Sequence, residues 1–183
     1  MNILKKLSLI FLSIFGLATH ADSNAQDKSP SEAMRALRLQ ALSTPAKEFG
    51  LSPSEAFPKV YGVVIDFPID EHTATIVSLS DGTASLYTTS TFGIIGGGSH
   101  DSVNEAAKKL VSLSDQLISK AVPSKDFSYP KKGMVRFYFL SYDGVKAINT
   151  KLSAIESDKS EYSPLFWQAQ EVLTQLRLST EAE

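Results

Sequence analysis

The chain has 183 residues, 43% of them hydrophobic and 21% charged, with a formal net charge of −2 and no cysteine. That composition excludes a disordered chain, a disulfide scaffold, a thiol nucleophile and any cysteine-ligated zinc or iron–sulfur centre. The mild acidity supplies no basic face for a phosphate backbone, so nucleic acid is not an expected partner.

Lys5 and Lys6 precede an uncharged apolar run from Leu7 to Leu17, and Ala18-Thr19-His20-Ala21 follows with small residues. This order predicts a signal peptide over residues 1–21, with cleavage as late as residue 25. The apolar run is short of the roughly 20 residues that a spanning helix needs. The expected product is exported, either periplasmic or secreted, with no membrane span after cleavage. The missing cysteine removes lipid attachment. Removing Lys5 and Lys6 leaves 18 − 2 = 16 basic against 20 acidic residues, a net charge of −4.

Residues 22–29 read as a flexible lead-in, and residues 30–180 as one globular domain. Ser29-Pro30-Ser31-Glu32 predicts a helix start, with Ser29 as cap and Glu32 reaching back to it. Ala33, Met34, Leu37, Ala41 and Leu42 give its apolar stripe, and Thr44-Pro45 breaks it. Ser-Pro-Ser-Glu-Ala recurs at Ser52–Ala56, where Pro58 limits it to a short turn. Val60 to Phe67, rich in β-branched and aromatic residues, reads as a buried strand. Thr73 to Ser80 and Thr83 to Phe92 read as a hairpin about Asp81-Gly82, a type I′ signal.

The run Gly93, Gly96, Gly97 and Gly98 separates this third strand from a helix. Ser99, Asp101 and Ser102 compete as its cap, Ser102 with Glu105 as a capping box. Val103, Ala106, Ala107, Leu110, Val111, Leu117, Ile118 and Ala121 trace its inner face. Val122 to Gly133 reads as a loop. Met134 to Tyr142 is the most aromatic run and reads as a central strand, with Asp143-Gly144 turning it into a partner at Val145–Asn149. Ser163-Pro164 opens the last helix, whose inner face is Leu165, Phe166, Ala169, Val172, Leu173 and Leu176, with Trp167 half-buried beside it. The expected fold is α+β: a five-stranded, largely antiparallel sheet with two hairpins, covered by amphipathic helices in the order α-β-β-β-α-β-β-α. That order is similar to profilin-like and roadblock-like small domains. The likeness is one of element order, without a motif, and implies no function.

The candidate site is the stretch Phe92, Ile94, Ile95, Gly96, Gly97, Gly98, Ser99 and His100. Its apolar side chains between glycines suit a protein partner or a second copy of the chain, as does the edge of the third strand. Its glycines ahead of a helix also suit a small anionic ligand. The phosphate motifs do not fit, because Ser99-His100 stands where a P-loop needs Lys-Ser/Thr, and Asp101 stands where the dinucleotide motif needs Gly or Ala. His72, His100, Asp70, Glu71 and Asp101 would form a metal site only if their loops met, and no helical His spacing supports one. The crowded serines Ser90, Ser99 and Ser102 lack the Gly-x-Ser-x-Gly elbow, which leaves a hydrolase the weakest alternative. The sequence predicts no catalytic residue, no metal and no cofactor. The leading reading is a non-enzymatic protein-interaction module.

Overall fold

The structure, a computed structural model, describes residues 29–90 and 92–181. The expected signal peptide and nearly all of the lead-in lie outside the described residues. Among the described residues no helix is long and apolar enough to cross a membrane.

The elements in chain order are α1 (Pro30–Ser43), a 3-10 turn (Ala46–Phe49), β1 (Val60–Ile69), β2 (His72–Leu79), β3 (Ala84–Thr88) and β4 (Gly93–Ile94). A 3-10 turn at Gly97–Ser99 leads to α2 (Asp101–Leu117) and a further 3-10 turn (Ile118–Lys120), and then come β5 (Val122–Pro123), β6 (Met134–Ser141), β7 (Gly144–Lys151), α3 (Leu152–Glu156) and α4 (Ser163–Glu181). The fold is α+β with an antiparallel sheet, as expected, but the sheet has seven strands rather than five, in the order β4-β3-β2-β1-β6-β7-β5. The additions, β4 and β5, are two residues each and form the edges. The expected element order changes with them, and a further short helix, α3, follows β7 directly.

β1 is central, and it carries the two hairpins on opposite sides. Its alternation divides two cores. Val63, Ile65 and Phe67 pack beneath α2 and α4, with Ile76, Phe137 and Phe139 beside them. Val64 faces the other way, with Val77, Tyr138 and Leu140, beneath Ala41 and Leu42 of α1. The sheet is therefore covered on both faces, which explains why β1 and β6 read as nearly continuous apolar runs rather than alternating ones. β1 runs past the expected end at Phe67: Pro68 pairs with Thr73, while the pairing with β6 stops at Asp66 opposite Arg136.

The start of α1 follows the sequence closely, because Ser29 and Glu32 form the full capping box. The start of α2 does not. His100 is its N-cap, with no side-chain cap bond, and Asp101 is already helical. The expected third strand also stops early. Thr88 donates its backbone N–H to the carbonyl of Phe92 at 3.1 Å, which turns the chain so that Gly93 pairs back onto Tyr87 and Ile94 onto Leu86. At Asp81-Gly82 the hairpin forms, but Gly82 alone takes positive φ (92°), and its N–H returns to Leu79 at 2.9 Å. That is a turn followed by a left-handed residue rather than a two-residue type I′ loop.

Close approach explains Gly97 and Gly98. A Cβ built at Gly97 would lie 2.3 Å from Cδ2 of Leu176, and one at Gly98 would lie 2.9 Å from Cα of Thr83. Gly97→Ala should therefore force Leu176 out of its site and cost about 1–3 kcal/mol, as overpacking does. Thermal unfolding measures this, and an unchanged midpoint would show that α4 does not rest on the glycine turn.

Candidate functional site

The expected site residues divide between surface and core. Ile94 is buried beneath the helices, with Leu86 and Val103 in the same cluster. Phe92 and Ile95, on either side of β4, are 52% and 49% exposed. β4 can lie close to its neighbours because Gly93 has no side chain; a Cβ there would fall 2.5 Å from Sδ of Met34 on α1. Gly96 then takes the left-handed conformation (φ 76°) that a glycine adopts at no steric cost, and its N–H donates to Oγ of Ser85 at 3.2 Å. Gly97 is buried, and Ser99 closes the 3-10 turn. His100 donates its N–H to Gly97 and accepts at its carbonyl from Asn104. What the stretch presents outward is a pair of large apolar side chains held by a packed glycine frame.

The two histidines do not meet. His72 opens β2, whereas the turn carrying His100 is tied by Asn104 to the carbonyl of Asp81, past the far end of the same strand. An eight-residue strand separates those ends by roughly 20 Å or more. Among the described residues no three His, Asp or Glu side chains form a group able to hold a metal ion.

The strongest polar constellation lies elsewhere, on the α1 face. Asp66, on the central strand, is fully buried, and so is Arg38 of α1. Nε of Arg38 donates to Oδ1 of Asp66 at 2.9 Å, and Nη2 donates to Oδ2, which makes the pair bidentate. Oγ1 of Thr75 donates to Asp66 at 2.6 Å. Nη1 of Arg38 donates to the carbonyl of Phe127 at 2.8 Å, and the guanidinium lies 4.2 Å from the ring centre of Tyr129. Burial works against the charge on Arg38, but the hydrogen bond and charge of Asp66 outweigh it, and its pKa is raised. Sequence reasoning missed this pair. The available signal was Asp66 itself, since a carboxylate within a buried apolar strand requires a partner.

The same contacts strap the loop between β5 and β6 over the sheet. Arg136 donates to the carbonyl of Ser128 at 3.0 Å and to Oδ2 of Asp126 at 2.9 Å, and the hydroxyl of Tyr138 donates to the carbonyl of Ser128. Hydrogen bonds from the backbone and hydroxyl of Ser128, then from Arg136, hold Asp126 down at about 2. At the far end of α1, the Tyr61 hydroxyl donates to the carbonyl of Thr44 at 2.9 Å. Burial pushes that phenol up to about 12, so it stays a donor at ordinary pH.

The fold thus defines a class, an α+β domain whose antiparallel sheet is covered on both faces and ends in two very short edge strands. Comparison with family models, with curated proteins and with solved structures yields no match. The likeness in element order to profilin-like and roadblock-like domains gains no support from those comparisons.

Two outcomes follow from the charge cluster. Arg38→Met should cost about 3–5 kcal/mol in urea unfolding, because it strands a buried carboxylate, and adding Asp66→Leu should restore most of the loss. A single variant as stable as the parent would show that the pair carries no such constraint. Because the Asp126 pKa is depressed on folding, its contribution to loop docking is full above the unfolded carboxylate value, about 3.9. That contribution declines as pH falls through that value toward about 2. The carboxyl carbon shift of Asp126 should titrate near 2; an ordinary midpoint would mean that the strap is absent in solution.

Proposed function

We propose that the chain is an exported, non-enzymatic protein-interaction module that takes up an extended segment of a partner protein along β4. The observation that carries this reading is the pair Phe92 and Ile95, about half exposed on either side of a strand that forms the open edge of the sheet. An unpaired edge offers main-chain donors and acceptors to an added strand, and flanking apolar side chains give it specificity. The opposite edge is built differently. There β5 carries Pro123, which has no N–H to offer, followed closely by Lys125. Proline and lysine are devices by which sheet edges resist pairing. The β4 edge has neither, which supports assigning the binding role to that side. Export rests on the sequence of the first 21 residues.

The buried Ile94 gives the test its internal control. Phe92→Ser with Ile95→Ser should leave thermal stability within about 0.5 kcal/mol, as for surface positions, whereas Ile94→Ser should cost about 2–5 kcal/mol. A photo-crosslinking residue at position 95, in protein recovered from the exported fraction, should give one adduct of defined mass that Phe92→Ser removes. The same crosslinker at Leu178, exposed to a similar extent, should not give that adduct. No adduct at position 95, or the same adduct from both positions, would overturn the proposal.

A further inference from the structure

α2 and α4 line a shallow, open groove of about 700 Å³ along the seam between them. None of residues 92–100 lines it, so it is independent of the β4 edge. Trp167 contributes to its wall and is 47% exposed. The indole is oriented without a ligand: Nε1 donates to Oδ1 of Asp158 at 3.2 Å, and its ring stands nearly perpendicular to that of Phe166, 5.3 Å between centres at 73°. With its one donor engaged, the indole offers a ligand apolar surface. A platform fixed in advance lowers the entropic cost of binding.

The rim supplies hydrogen-bonding groups of both kinds. Glu105 and Lys109 come from α2, and Glu171 and Gln175 from α4, where Nε2 of Gln175 donates to Oε1 of Glu171 at 2.7 Å. Neither Glu105 nor Lys109 is in an ion pair among the described residues. An anionic ligand would meet the two carboxylates, and a cationic one would meet Lys109. A neutral ligand with a flat C–H face and a hydroxyl rim stacks on the indole and uses the ammonium as donor and the carboxylates as acceptors. We propose that this groove binds a neutral oligosaccharide, with one pyranose ring stacked on Trp167.

Trp167 is the sole tryptophan, so its fluorescence reports this groove alone. The mature protein should be titrated with maltotriose, cellotriose and tri-N-acetylchitotriose, and separately with spermine and inorganic phosphate. The expected result is a saturable change with at least one neutral trisaccharide. Glu171→Gln should weaken that sugar roughly tenfold, as loss of a charge-assisted hydrogen bond does. No saturable response to any of these sugars up to ~10 mM, or saturation by spermine or phosphate instead, would overturn the assignment. An unaltered affinity in Glu171→Gln would overturn the role of the rim.

Discussion

The structure depends on one buried carboxylate. Asp66 lies within the central strand, fully out of water, and its side chain is paired there with the guanidinium of Arg38. That guanidinium comes from α1, 28 residues before Asp66 in sequence. Satisfying Asp66 therefore docks α1 on the sheet, and Nη1 of Arg38 reaches the carbonyl of Phe127 and draws the β5–β6 loop over the same face. Arg136 and Tyr138 repeat the attachment through Ser128. A face that would otherwise be open is closed by a helix and a loop that share one set of charges.

Closure of both faces decides where the protein can meet anything else. α2 and α4 seal one side over Val63, Ile65 and Phe137, and α1 with the strapped loop seals the other over Val64 and Tyr138. What remains is the rim of the sheet and the outer surface of the helices. The rim is asymmetric, with a proline on the β5 side and a glycine-framed apolar pair on the β4 side. The helical surface has its own feature in the groove beside Trp167. The two proposed contacts use different physics, main-chain pairing at the edge and stacking with a polar rim between the helices.

The legible parts of the fold were those with long periodic signals. The inner faces of α2 and α4 were readable because residues such as Val103, Ala107, Leu110 and Leu176 recur at helical spacing, and the β2–β3 pair was readable from its alternation about Asp81-Gly82. β4 and β5 carry no such signal, since two residues cannot show a period. Both owe their strand geometry to the neighbour they pair with. The cap of α2 is not legible, because Ser99 belongs to the 3-10 turn that precedes the helix and His100 takes the N-cap position without a side-chain cap bond. The site was legible as a location, but the division within it was not. Ile94 and Ile95 are indistinguishable in composition, and only the pairing of Ile94 with Leu86 sends one into the core and leaves the other in water.

The account rests on β4 being an open edge of a sheet whose two faces are covered. Amide hydrogen exchange on the free protein tests this most directly, because local opening free energies separate edges from cores. The amides of residues 92–95 should exchange far faster than those of Val63–Ile65 and Phe137–Phe139, which should open only with the whole domain. Protection across residues 92–95 equal to that of the central strands would mean that the edge is already covered in the free protein, and would contradict the account.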